Sequence, residues 1–85
     1  MTARLRVEYL GAVTPEVVHR FRNFGEDLVR AVNNAEQLSL EQVDQARTSF
    51  TLVGVSPRAI GAVTQKALAL SRKHGFAEQV AVSRL

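Results

Sequence analysis

The feature that most constrains the fold is a pair of helix starts, each a hydroxyl residue followed by proline. They are Thr14-Pro15, within GAVTPEVV, and Ser56-Pro57, within VGVSPRAI. A threonine or serine side chain can accept a hydrogen bond from an unpaired amide at a helix N-terminus, and proline at the first helical position has no amide to leave unpaired. Each start follows a strand-like segment. The chain is therefore predicted to alternate strands with two helices.

The first strand and the first helix show two different apolar periods. In residues 4–10, Leu5, Val7 and Tyr9 alternate with charged residues, which indicates a strand with one buried side. After Thr14-Pro15 the apolar residues recur at intervals of three and four, which predicts one buried stripe on a helix. That stripe consists of Val17, Phe21, Phe24, Leu28 and Val32.

The end and the polar side of this helix can also be predicted. Asn33-Asn34 is expected to end it, because asparagine tolerates the left-handed conformation of a helix C-terminus. Gly25 weakens the helix, and its predicted reason is a close approach of the backbone to the sheet. On the polar side, three ion pairs at i,i+4 spacing should each contribute about 0.3 to 0.5 kcal/mol. The expected pairs are Glu16–Arg20, Arg22–Glu26 and Glu26–Arg30.

The second half of the chain repeats the pattern. Residues 49–55, SFTLVGV, are apolar on both sides of the strand period, which predicts a central strand. Gly75 followed by Phe76 is predicted to end the second helix, and residues 78–84 are predicted to form the last strand. The buried stripe of the second helix is predicted to be Ile60, Val63, Ala67 and Leu70.

Residues 39–47 fit two structures. Ser39 with Gln42 is typical of a capping box, which would begin a short helix containing Leu40, Val43 and Ala46. The alternative is an irregular edge strand over residues 40–46. The strand is preferred, because the chain would otherwise have only two or three strands and such small sheets rarely stand alone.

The resulting order is strand, helix, strand, strand, helix, strand. This order predicts a single α+β domain over residues 1–85 with a ferredoxin-like split βαβ (βαββαβ) arrangement, in which two helices lie on one face of a four-stranded antiparallel sheet. Right-handed crossovers place the first and third strands side by side in the middle. Because this architecture carries many unrelated functions, it does not by itself indicate one.

The composition excludes several kinds of chemistry. The chain has no cysteine, so disulfides, thiolate metal ligands and cysteine nucleophiles are absent. Small secreted domains usually need disulfides, so the absence of cysteine favours a cytoplasmic location. The N-terminal MTARLRVEYL does not resemble a signal peptide, and no segment approaches the ~18 apolar residues that span a bilayer, so no membrane partner is expected.

Catalytic and metal sites are poorly supported. His19 and His74 lie on different helices without a suitable second ligand nearby, so both are expected to be solvated. Ser56 is explained by its capping position. Glu26 and Asp27 diverge by about 100° on the helix, and Glu41 and Asp44 are expected to be solvated charges. No metal, cofactor or catalytic residue is therefore predicted. A small nuclease or toxin of the same fold, using either histidine beside an arginine, remains a third possibility.

The leading functional prediction comes from the central strand. If Phe50 and Leu52 face the helices, then Val53 and Val55 lie on the open side of the sheet, and a reversed register exposes the first pair instead. Apolar groups on an uncovered sheet face are typical of an interface. On the neighbouring strand, Arg6 and Glu8 are placed to pair across a two-fold axis. We therefore expect a non-catalytic binding or assembly module that forms a homo-oligomer, with a dimer as first choice and another protein as a possible partner.

The charge distribution supplies the main alternative. The net charge is +3, and residues 49–85 hold five basic residues and one acidic residue. A basic second helix, together with two arginines of the first strand, predicts contacts to nucleic-acid phosphates. RNA-binding domains of this architecture expose a set of aromatic residues on the central strands, but here Arg6 takes one such position and the third strand has a single phenylalanine. The candidate phosphate contacts are Arg4, Arg6, Arg58, Lys66, Arg72 and Lys73.

Overall fold

A computed structural model describes residues 2–85 as four antiparallel strands and two α-helices. The strands form one sheet in the order β2-β3-β1-β4, so β1 and β3 are central, as predicted. The edge strand β2 confirms the strand alternative in kind, although it spans Glu41–Val43 and not the whole of residues 40–46. The elements are β1 (Ala3–Tyr9), α1 (Pro15–Glu36), β2 (Glu41–Val43), β3 (Ser49–Val55), α2 (Ile60–Lys73) and β4 (Val80–Arg84).

The two helix starts differ in how they are capped. The Thr14 hydroxyl accepts a hydrogen bond from the amide of Val17 at 3.2 Å, as predicted. Ser56 makes no capping bond with its side chain, so the prediction for its hydroxyl is wrong. The reason is a 3₁₀ turn over Pro57–Ala59 that precedes α2, in which the amide of Ala59 donates to the carbonyl of Ser56 at 2.9 Å. A backbone bond thus closes the turn.

The first helix is longer than predicted. It continues through Asn33-Asn34 to Glu36 and ends at Gln37, which takes the left-handed conformation with φ of 54°. Asn33 has a different role, because its side-chain amide donates to the carbonyl of Leu40 at 3.2 Å and its oxygen accepts from the amide of Leu40 at 2.8 Å. This pair of bonds positions the chain at the entry to β2.

Both helices bury their apolar stripes against the same face of the sheet. The alternation in β1 holds, since Leu5 and Val7 are buried while Arg4 and Arg6 are exposed. The predicted closeness of α1 and the sheet at Gly25 is confirmed, because a Cβ there would lie 3.1 Å from Cε1 of the Phe50 ring. The largest core side chains are Phe21, Phe24, Phe50, Phe76, Leu5, Leu28 and Leu52.

The polar side of α1 does not form the expected ion pairs. Arg20 instead crosses to the end of α2, where its Nη2 donates to the carbonyl of His74 at 2.6 Å and its guanidinium lies 5.1 Å from the centroid of the Phe76 ring. Arg30 pairs with Asp27 at 3.7 Å, one turn away. Within residues 2–85, none of the three predicted i,i+4 pairs comes within 4.0 Å. A tertiary partner therefore replaces the local one for Arg20, whereas Arg30 takes a different local partner.

Candidate interaction surface

A β-bulge in β3 decides which of its side chains reach the uncovered side of the sheet. Leu52 pairs with Leu5 and Val53 with Arg4, but the next pair is Val55 with Ala3, so Gly54 is passed over. Gly54 has φ of 88°, and a Cβ there would lie 2.9 Å from the carbonyl oxygen of Ser39. A bulge of this kind turns the following residue to the other face.

The bulge changes the predicted apolar patch. Val55 is 0% exposed and belongs to the core, so its predicted place on the open side is wrong. Phe50 and Leu52 face the helices and are also fully buried, which selects the first of the two registers considered above. Of the four apolar residues proposed for the interface, Val53 alone lies on the uncovered side, where it is half-buried.

We call this uncovered side the open face. It has three rows that cross the strands, and most of its side chains are polar or charged, in contrast to the apolar patch predicted. In the order of the sheet, the rows are Glu41–Val53–Arg4, then Val43–Thr51–Arg6–Ser83, then Ser49–Glu8–Ala81.

The charges of the open face have no partners within the described chain. Arg4, Arg6 and Glu8 follow one another along one side of β1, and Glu41 lies on β2 with Val53 between it and Arg4. Glu41 and Arg4 are therefore two strand spacings apart, about 10 Å. Across residues 2–85 none of these four side chains forms an ion pair within 4.0 Å. The face thus presents two positive and two negative charges.

Two exposed leucines extend the open face beyond the rows. The amide of Leu10 donates to the carbonyl of Gln79 at 2.7 Å, and the amide of Leu85 donates to the carbonyl of Arg4 at 2.9 Å. These bonds prolong the β1–β4 ladder at both ends, and the alternation of the pleat puts both residues on the side of Arg6. Leu10 is 64% exposed and Leu85 is 65% exposed. The sequence indicates this place for Leu10, because it lies four residues after Arg6 and even spacing along a strand puts two residues on the same side.

The six basic residues predicted to contact nucleic acid do not form one surface. Arg4 and Arg6 lie on the open face, whereas the four basic residues of the second helical region lie on the helix side of the molecule. Arg72 also pairs with Glu78 at 3.7 Å. The basic residues of the helix side, all exposed, are Arg58, Lys66, Arg72 and Lys73.

The two histidines are also separate. His19 is exposed, as predicted, but His74 is not solvated. Nε2 of His74 lies 3.0 Å from Oδ2 of Asp27, the side chain is 20% exposed, and its ring packs edge-on against Phe24 with centroids 5.8 Å apart. These contacts, together with the bond from Arg20 to the carbonyl of His74, join α1 to the end of α2.

The acidic residues considered for acid–base chemistry are dispersed. Glu26 is exposed on α1, Asp27 contacts His74, and Glu41 lies on the open face. Asp44 follows β2 and has a left-handed backbone, with φ of 51°. In the described part of the chain, no group of three or more histidine and carboxylate side chains is suited to hold a metal ion, and neither helix is long and apolar enough to cross a bilayer.

The comparisons with known proteins add no assignment. No model of a known protein family matches the chain. A search of curated proteins also found no match.

Proposed function

We propose that this chain is a non-catalytic assembly module whose open face binds a second copy of the same chain. The observation that carries the proposal is the relation between Arg6 and Glu8, which lie two residues apart on β1 without an ion-pair partner among residues 2–85. A two-fold axis that crosses the strands between these positions sets Arg6 of each copy against Glu8 of the other. One surface thereby satisfies both charges twice.

The apolar side chains support the same arrangement. The axis that pairs Arg6 with Glu8 brings Leu10 of one copy over Arg4 of the other, where the aliphatic part of the arginine can cover it. Val53 lies beside Arg4 on the neighbouring strand β3, and Val43 lies in the row of Arg6 on the edge strand β2. Association would remove the exposed part of Leu10 from water, which is favourable.

The size of the face indicates a weak dimer. Four strands about 4.8 Å apart, with six or seven residues at about 3.4 Å each in the central strands, give a face of roughly 20 by 20 Å. Its flat area of about 400 Å² is about half of the ~800 Å² that each partner contributes to a standard stable interface. We therefore expect reversible association with a dissociation constant in the micromolar range.

Sedimentation velocity over a concentration series tests this proposal. The wild-type chain should pass from monomer to dimer in the micromolar range, and Val53→Lys should remain monomeric because association would bury a charge in place of an apolar side chain. The matched control is Val13→Lys, at an exposed apolar residue of the β1–α1 connection outside the rows of the open face. It should associate like the wild type. A wild-type chain that is monomeric at high micromolar concentration contradicts the proposal.

For the fold itself we propose the ferredoxin-like split βαβ class. Read from the other edge, the strand order is β4-β1-β3-β2. The helix α1 joins β1 to β2 across β3, and α2 joins β3 to β4 across β1, which supports the assignment. For the location we propose the cytoplasm, supported by the absence of cysteine.

One observation supports nucleic-acid binding as a second proposal. The helix α2 has no acidic residue, and Lys66 and Lys73 lie seven residues apart, two turns along the same exposed side. The double variant Lys66→Glu with Lys73→Glu should not bind RNA or DNA. Binding of nucleic acid to the wild type should weaken steeply as the salt concentration rises. Arg4→Gln is the control, because it lies on the opposite side of the sheet. Absence of a shift with either nucleic acid at low salt contradicts this proposal.

A further inference from the structure

A depression between α1 and the hairpin that joins β2 to β3 brings two arginines together. It has a volume of ≈ 260 Å³, and no acidic residue lines it. Arg22 reaches it from α1, and Arg47 reaches it from the hairpin. The lining residues are Val18, Arg22, Gln45, Ala46 and Arg47.

Both arginines have a nearby carboxylate that they do not use. Glu26 lies four residues from Arg22 on the same helix, and Asp44 lies three residues before Arg47. Neither arginine comes within 4.0 Å of a carboxylate in residues 2–85. The depression therefore gathers two positive charges from separate elements without a compensating negative charge, which favours an anion as its occupant.

The hairpin that carries Arg47 is held by hydrogen bonds. The amide of Ala46 donates to the carbonyl of Ser49 at 2.8 Å, and the amide of Tyr9 donates to the carbonyl of Thr48 at 2.8 Å. The side chains of Gln42 and Gln45 also bond to each other. Because the backbone on both sides of Arg47 is fixed in this way, binding need not order the hairpin.

We propose that this depression binds the phosphate group of a small phosphomonoester. The planar guanidinium of arginine donates two parallel hydrogen bonds to phosphate oxygens, and two such groups can hold one phosphate. A phosphomonoester carries a charge of about −1.5 to −2 at neutral pH, which matches the two arginines. The volume of ≈ 260 Å³ lies near the small end of ligand sites, so it suits a ligand only slightly larger than the phosphate.

Titration of the wild-type chain, followed by NMR of the backbone amides, tests the proposal. Glycerol 2-phosphate is the probe, and its addition should shift the amides of the hairpin and of the Val18–Arg22 turn. Dimethyl phosphate, a singly charged diester like the nucleic-acid backbone, should bind at least about tenfold more weakly, since it lacks the second negative charge.

Variants then assign the two arginines. Arg22→Gln and Arg47→Gln should each weaken binding of glycerol 2-phosphate about tenfold or more, because each removes charge-assisted hydrogen bonds. Arg22→Lys should also weaken it, since lysine keeps the charge but lacks the fork. Arg58→Gln is the matched control, because it removes one exposed arginine that follows the C-terminal end of β3, whereas Arg47 precedes the N-terminal end of that strand. It should leave binding within about twofold of the wild type.

Three results would overturn the proposal. The first is the absence of any amide shift in the wild type at about 10 mM glycerol 2-phosphate. This concentration would nearly saturate a site with a dissociation constant of about 1 mM. The second is equal weakening by Arg58→Gln, which would indicate general charge attraction. The third is equal affinity for dimethyl phosphate. The site lies outside the rows of the open face, so none of these results bears on self-association, which sedimentation measures separately.

Discussion

Nε2 of His74 lies 3.0 Å from Oδ2 of Asp27 and joins the C-terminal end of α2 to the middle of α1. The two residues are 47 positions apart in the chain, and each also has a second contact. Asp27 pairs with Arg30, and the carbonyl of His74 accepts the bond from Arg20. This cluster links the C-terminal end of α2 to α1 through side chains of both helices.

A double-mutant cycle should measure the link between the helices. Asp27→Ala and His74→Ala are expected to show a coupling of about 0.5 to 1 kcal/mol in the free energy of unfolding, because His74 is largely buried while Asp27 is partly exposed. Urea denaturation of the wild type, the two single variants and the double variant gives this value. The Asp27–Arg30 cycle is the control, and its coupling should be smaller, since that pair is longer and more exposed. A larger Asp27–Arg30 coupling contradicts the assignment.

Two glycines should respond to alanine in opposite directions. Gly54→Ala is expected to destabilise the fold by about 2 kcal/mol or more, because φ of 88° strains a side chain and the new Cβ meets the carbonyl of Ser39 at 2.9 Å. Gly61→Ala is the matched control on α2, where a Cβ meets no atom within 4 Å, and it should stabilise by up to about 1 kcal/mol. Thermal and urea unfolding measure both. A neutral Gly54→Ala would show that the bulge is not required.

The two adjacent asparagines of α1 should also differ. Asn33→Ala removes both hydrogen bonds to the backbone of Leu40 and leaves a partly buried carbonyl and amide without those partners, so a loss of about 1 to 2 kcal/mol is expected. Asn34 is exposed, and Asn34→Ala should be neutral or slightly stabilising, since alanine is the better helix former. Urea denaturation compares the two variants. Equal effects would contradict the role given to Asn33.

The spacing of apolar residues predicted most of the fold, because a helix or strand that is buried on one face carries its apolar residues at a regular interval. The apolar stripe from Phe21 to Val32 indicated the buried side of α1, and the alternation around Leu5 indicated that of β1. Thr14-Pro15 indicated where α1 begins. The end of α1 was missed, because Asn33 bonds to a residue beyond the helix, and a local pattern does not distinguish that role from a helix stop.

The content of the open face could be predicted only in part. Counting by two through SFTLVGV puts Val55 with Val53, and the count fails because Gly54 forms a bulge whose position depends on pairing with Ala3 and Arg4. The place of Arg6 and Glu8 on the outer side did follow from alternation. The contact of Asp27 with His74 joins two distant segments, so no local spacing in the sequence indicated it.

The most direct test of the proposed assembly is sedimentation velocity of charge-reversed chains at matched concentrations and at low salt. Arg6→Glu sets two glutamates against each other at both symmetric contacts, so this variant should be monomeric where the wild type is dimeric. The double variant Arg6→Glu with Glu8→Arg restores opposite charges across the axis and should dimerise again. A dimer that persists in Arg6→Glu, or a double variant that stays monomeric, would contradict self-association through the open face.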